Sequence, residues 1–339
     1  MSGSGGIAEK GSPEDAILPG GGTPLARPTR RPGPVVEVEN LVKVYGPVRA
    51  VDGISFTVEK GEVFGLVGPN GAGKTTTVEC LLGLRHPTSG RLAVLGLDPH
   101  KDARALRELI GAQLQSATLP GRMRVREALH LFAGLYRKRV EPLDALLHRV
   151  GLEGKAHLYF EALSGGEKQR LFIALALVND PEVVFLDELT TGLDPRGRRQ
   201  IWSLIETLKL EGKTVLLTSH FMEEVQRLAD RVAVLSGGRI LALGTPQELI
   251  ARYGGTPRLV LHLRPGQNPG GLPAHRPWEI RREGEAVKAI LKVGDAREAA
   301  WAIHELVEKG VEFQALELQQ PDLEDVYLNL TGKPMEGEA

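Results

Sequence analysis

The chain has 339 residues, more than one hydrophobic core usually organises, so more than one folded unit is expected. With 42% hydrophobic and 25% charged residues it reads as globular, and 42 Lys and Arg against 43 Asp and Glu leave a net charge of -1. That balance supplies no excess positive field and argues against constitutive nucleic-acid binding, while the single cysteine, Cys80, excludes an internal disulfide framework and a zinc site built from several thiolates.

Residues 1–34 are dominated by Gly, Pro and Ser, hold no aromatic residue, and are expected to form a disordered tail. Its end is basic through Arg27, Arg30 and Arg31, which leaves a membrane-surface role as the alternative. From Val35 the texture changes to short β-branched runs, Val35 to Val38, Ile54 to Val58 and Val63 to Val67, followed by an apolar helix through Leu82. The runs Val183 to Leu186, Val215 to Thr218 and Val232 to Leu235 are continuously hydrophobic and separated by helical stretches, as expected of parallel strands covered on both faces. Residues 119–179 carry almost no strand signal and several amphipathic stretches, such as Val125 to Tyr136, which predicts a helical insertion in an α/β core. A second composition shift follows Tyr253. Strand-like alternation at Arg258 to Leu263 and Ala286 to Val293 predicts a small C-terminal α+β domain over 256–333, with Pro265 to Pro277 as a loop and 334–339 as a tail. The longest wholly apolar run, Leu171 to Val178, is far short of the roughly 20 residues of a membrane-spanning helix.

Gly68-Pro69-Asn70-Gly71-Ala72-Gly73-Lys74-Thr75, followed by Thr76, matches the phosphate-binding loop pattern and sits between a strand and a helix, as its mechanism requires. The glycines let backbone N–H groups turn toward phosphate oxygens, Lys74 neutralises β/γ charge, and Thr75 offers a hydroxyl to magnesium. Asp187, at the end of a hydrophobic run, is expected to approach the metal through a water, and Glu188 beside it to deprotonate the attacking water.

Leu163-Ser164-Gly165-Gly166-Glu167-Lys168-Gln169-Arg170 resembles the signature motif of ATP-binding cassette (ABC) proteins. The resemblance covers 35–253 and implies a P-loop NTPase cassette: a RecA-like core, a β subdomain and an inserted helical subdomain. It further implies that Tyr45 stacks on adenine, that Gln115 is the coupling glutamine and touches magnesium or the water, and that His220 contacts the γ-phosphate. By the same likeness Asp194, Ser164, Gly165 and Gly166 belong to the nucleotide site. Gln113 competes with Gln115 for its role. Two departures stand out: Leu189 where the family commonly has proline, and Glu167 where it usually has glutamine.

Asp322 to Gly332 is similar to the closing motif of bacterial exporter ATPases of the daunorubicin type, and its apolar positions Leu323, Val326, Tyr327 and Leu330 are expected to pack as a helix on the small sheet. The likeness implies an ATP- and magnesium-dependent ATPase at the cytoplasmic face of the membrane. It would work as a dimer of two copies, powering export through a separate integral membrane permease. A permease-free regulatory ATPase is the alternative. The other histidines with no such context, and Cys80, are assigned to surfaces or packing.

Overall fold

The structure, a computed structural model, describes residues 1, 33–137, 142–264, 269–284 and 286–335. The expected N-terminal tail lies almost wholly outside them, as does most of the expected C-terminal one.

Strands β1 (Val36–Tyr45) and β2 (Val48–Val58) pair antiparallel. After β3 (Val63–Val67) and helix α1 (Lys74–Leu81), β4 (Ser89–Val94) joins the other edge of β1, giving a sheet in the order β2-β1-β4. The chain continues through α2 (Ala103–Arg107) and β5 (Ile110–Gln113) into three helices, α3 (Val125–Ala133), α4 (Leu143–Arg149) and α5 (Gly165–Leu177). It then alternates: β6 (Val183–Asp187), α6 (Pro195–Leu210), β7 (Thr214–Ser219), α7 (Met222–Leu228), β8 (Arg231–Ser236), β9 (Arg239–Gly244) and α8 (Pro246–Tyr253). These strands form a six-stranded sheet in the order β5-β6-β7-β3-β8-β9, parallel except for the β8–β9 pair.

The central strands read as continuous apolar runs because both of their faces are covered. Alternate residues serve different cores. Val63, Val67, Val184, Leu186, Val215 and Leu217 pack among the helices, whereas Phe64, Leu66, Val183, Phe185 and Leu216 pack against the β1-β2-β4 sheet. Gly65 of β3 faces α7 at a close approach, where an added Cβ would lie 2.4 Å from Val225 Cγ1, so that helix is seated directly on the central strand.

The remaining elements are β10 (Arg258–Leu263), β11 (Glu279–Glu283), β12 (Ala286–Lys292), α9 (Ala296–Glu308), β13 (Ala315–Gln319) and α10 (Leu323–Thr331). The strands form an antiparallel sheet in the order β11-β12-β10-β13, and Leu259, Leu261 and Leu263 bury against Ala299, Ala302 and Leu306 of α9. Helix α10 corrects the packing expected for it. Leu323, Val326 and Tyr327 belong to the core that holds α5, α6 and α7, and the Leu323 amide donates to Gln226 Oε1 on α7 at 2.9 Å. The amphipathic pattern was read properly, but its apolar face covers the larger core. Arg258 Nη2 to Asp325 Oδ2 at 2.9 Å ties the small sheet to the same helix.

Candidate functional site

Parallel pairing brings the chemistry to one edge of the sheet. Val67 pairs with Ser219 and Asp187 with Thr218, so the turns after β3, β6 and β7 leave the sheet side by side at its carboxyl end. Those turns carry the phosphate-binding loop, Glu188 and His220.

Gly73 closes the loop with φ of +101°, and a Cβ there would lie 2.5 Å from the Ala50 carbonyl oxygen, so only glycine fits. Lys74 opens α1, and its Nζ donates to the carbonyl oxygens of Gly68 at 2.8 Å and Pro69 at 3.2 Å. The same ammonium lies 3.2 Å from Glu188 Oε1, with both side chains nearly buried. Asn70 and Gly71 are exposed at the loop tip, Ala72 is buried beneath it, and Thr76 is half-buried on α1.

Asp187 is fully buried, and burial pushes its carboxyl above the ordinary value, against the hydroxyls that bond it. Its Oδ1 accepts from Thr75 Oγ1 at 3.3 Å and from the Thr218 hydroxyl. Its Oδ2 is buried with no hydrogen-bond partner, an acceptor held ready for a donor or a cation.

Glu188 has φ of +49°, a left-handed backbone that is costly for a side-chain-bearing residue. Its amide donates to the carbonyl oxygen of Thr218 at 3.1 Å and to its Oγ1 at 3.2 Å, which holds the turn. The carboxylate reached this way meets three predicted residues: Lys74, Gln115 through Nε2 to Oε2 at 2.7 Å, and His220, whose Nδ1 lies 3.7 Å from Oε2. Gln113 instead ends β5, buried, with Nε2 donating to the Leu114 carbonyl. The geometry thus brings Gln115 and not Gln113 to Glu188.

Tyr45 closes β1 with its ring partly exposed and the Lys43 ammonium 4.8 Å from its centroid. Among the described residues, no hydrogen bond or ring contact links it to the Glu188 cluster.

The signature residues lie in a second place. Ser164 caps α5: its Oγ accepts from the Glu167 amide at 3.4 Å, and its own amide donates to Glu167 Oε2 at 2.9 Å. The other carboxylate oxygen of Glu167 takes the Lys155 ammonium, which holds this carboxyl below its ordinary range. The charge that replaces the family's usual glutamine is therefore satisfied locally. Asp194 caps α6 by accepting from the Gly197 amide at 2.6 Å. Ser164, Gly165, Gly166, Asp194 and Gly197 line one cavity of about 540 Å³, and no residue of the phosphate-binding loop lines it.

Thr218, Ser219 and Glu224 escaped the sequence reading. A signal existed for the first two, since two hydroxyls closing an apolar strand just before a histidine are unlike its interior. Glu224 gave none, because Glu223-Glu224 at a helix start reads as solvated. Cys80 is buried and its thiol is pushed up to about 11, so it is a packed and unreactive group.

Comparison with known proteins puts relatives beside this geometry. The sequence profile of the family described as "ABC transporter" matches residues 51–191. The Nod factor export ATP-binding protein I of Neorhizobium galegae is 40% identical over 314 residues, covering 90% of this chain and 87% of that one. The daunorubicin resistance ATP-binding protein DrrA3 of Streptomyces coeruleorubidus is 39% identical over 303 residues, covering 88% and 96%. Matches of that extent run well past Tyr253, so these relatives share the C-terminal segment. Among solved structures, an ATP-binding subunit of an ABC transporter superposes with a TM-score of 0.59 at 26% identity, over 65% of this chain and 93% of that one. The cbiO1 protein of Clostridium perfringens, part of the ABC transporter complex cbiONQ, gives 0.56 at 31%, over 64% and 91%.

Proposed function

Because the chain belongs to the ABC transporter family as an ATP-binding subunit, we propose that it hydrolyses ATP at the Glu188 cluster to power export through a separate membrane permease. The single observation that carries the site assignment is the convergence of Lys74, Gln115 and His220 on one strained carboxylate. The N–H groups of Asn70 to Thr76 cradle the phosphates, and Lys74 exchanges its bond with Glu188 for the β/γ oxygens. Glu188, released, accepts the proton of the attacking water, with Gln115 and His220 holding carboxylate and water in register. Tyr45 is the adenine platform.

The donor set suits magnesium, a hard cation that takes oxygen ligands: the Thr75 hydroxyl stands beside the unpartnered buried Oδ2 of Asp187. When bound there, held by Thr75 and Asp187, the ion would supply positive charge to offset that of the phosphates.

The separation of the Ser164 cavity from the phosphate-binding loop supports a site completed by a second copy, whose Ser164 hydroxyl and Gly166 amide meet the γ-phosphate. Residues 35–253 are the ATPase unit, with 119–179 as its helical insertion, and 256–333 are an accessory unit whose closing helix α10 packs into the ATPase core. Among the described residues no helix is long and apolar enough to cross a membrane, and the chain meets its permease at the cytoplasmic face, where ATP is supplied. Names of the relatives support export: Nod factor in one case, daunorubicin resistance in the other. Phosphate release by Glu188→Gln tests the site. A loss of about 100-fold or more with ATP binding retained is expected, and wild-type turnover would overturn it.

A further inference from the structure

Outside the cluster that handles ATP, the chain buries a second carboxylate whose bonds reach both catalytic turns. Glu224 on α7 is 3% exposed. Its Oε2 accepts from Ser219 Oγ at 2.5 Å and Thr190 Oγ1 at 3.1 Å, and its Oε1 accepts from Trp202 Nε1 on α6 at 3.2 Å. Ser219 immediately precedes His220, and Thr190 stands two residues after Glu188. Ser219 Oγ also accepts from the Phe221 amide at 3.0 Å, so His220 is bracketed on both sides by one hydroxyl. Burial pushes the Glu224 carboxyl above its ordinary range, opposed by its three hydrogen bonds and by the charge of the Arg198 guanidinium, which lies on α6 4.1 Å from the Phe221 ring.

A carboxylate is an expensive way to fill such a space, since a buried charge costs several kcal/mol unless its lone pairs are met. What it offers over an apolar side chain is direction. One acceptor-only group takes three donors from α6, the end of β7 and the turn after Glu188, and a neutral amide of the same shape would have to reverse the direction of the bonds to the two hydroxyls to keep them. Its own position is fixed, because α7 rests on Gly65 of β3 on one side and its Gln226 accepts from α10 on the other. The turn it holds needs an anchor: Glu188 keeps a left-handed backbone, and Leu189 after it has no ring to fix its φ.

We infer that Glu224 is a positioning residue for hydrolysis, tying the turn after Glu188 to the turn that carries His220 so that base and histidine keep one separation. This rests on the proposed roles of Glu188 and His220. Glu224 touches neither nucleotide nor water and acts through Thr190 and Ser219.

The test uses the full chain, with single-turnover ATP hydrolysis and ATP titration of wild type, Glu224→Gln, Thr190→Val, His220→Ala and the Glu224→Gln/His220→Ala double variant. Glu224→Gln is expected to lower the hydrolysis rate by about 10- to 100-fold, the scale of a small misplacement of reacting groups, with ATP Kd within about twofold of wild type. Thr190→Val, isosteric and lacking one tie, should lose about threefold or more in rate and nothing in affinity, and it carries the test if Glu224→Gln does not fold. In the His220→Ala background, adding Glu224→Gln should cost less than about twofold, a non-additivity that general destabilisation does not produce. The inference is overturned if Glu224→Gln and Thr190→Val hydrolyse at the wild-type rate, or if the Glu224→Gln loss is the same with and without His220. A Glu188→Gln control separates the levels. Wild-type turnover there overturns the catalytic reading together with this inference, whereas an inactive Glu188→Gln beside a normal Glu224→Gln overturns the inference alone.

Discussion

Lys74 cannot serve two carboxylate-like partners at once, and its bond to Glu188 sets a competition that ATP must win. Lys74→Ala removes the charge that meets the phosphates, so ATP affinity should fall by about tenfold or more in a direct titration. Glu188→Gln removes only the competitor and should bind ATP as well as wild type or tighter; weaker binding would show that the carboxylate supports the nucleotide. At the signature turn, Lys155 neutralises Glu167 across a partly exposed pair, and the Glu167 carboxyl is lowered below its ordinary 4.5. A lowered carboxyl contributes stability that is present above the unfolded value and lost as pH falls through the folded one. Lys155→Ala should therefore cost about 0.5–1 kcal/mol in thermal unfolding at neutral pH, and the difference should begin to shrink as pH falls below 4.5 and vanish only beneath the lowered folded value, where Glu167 is protonated. A gap that persisted in acid would assign the effect to packing of the lysine stem.

Among elements, those legible in the sequence were the ones whose environment leaves a pattern. β3, β6, β7 and β8 are apolar on both faces because two cores cover them, and the strand-to-helix step at Gly68 to Thr75 is fixed by phosphate chemistry. β4 opens on three exposed residues, Ser89, Gly90 and Arg91, β9 leaves Leu241 and Leu243 exposed, and β5 has four residues, too few for any period to show. The choice between Gln113 and Gln115 is open in sequence because two residues apart is the period of a strand; in the structure β5 ends at Gln113, and it is Gln115, beyond the strand, that bonds Glu188. For α10, periodicity named the buried face and could not name what covers it. Its packing among α7 and α8 makes it part of the ATPase core, so Tyr327→Ala or Leu323→Ala should destabilise that core by about 2–4 kcal/mol in denaturant unfolding. An unchanged midpoint, or loss confined to the small sheet, would contradict the packing.

At the scale of the whole molecule, the residues proposed for the nucleotide site form two groups in one chain: Lys74, Thr75, Gln115, Asp187, Glu188 and His220 at the sheet edge, and Ser164 with Gly166 at the start of α5, lining a cavity that none of the first group lines. The helix start at Ser164 offers free N–H groups and two glycines, a good anion site, and the Lys155–Glu167 pair keeps the extra carboxylate from spoiling it. In the proposed dimer that helix start lies over the phosphates of the second copy, each working site is composite, and a monomer is expected to be nearly inactive. The decisive measurement mixes a Lys74→Ala chain with a Ser164→Arg chain and follows phosphate release, with native mass measurements confirming that mixed dimers form. Two lesions in a head-to-tail pair fall on one site and leave the other intact, so the mixture should hydrolyse ATP well above either parent. Mixed dimers with no more activity than the parents, alongside active mixtures of each variant with wild type, would contradict a site shared between two copies.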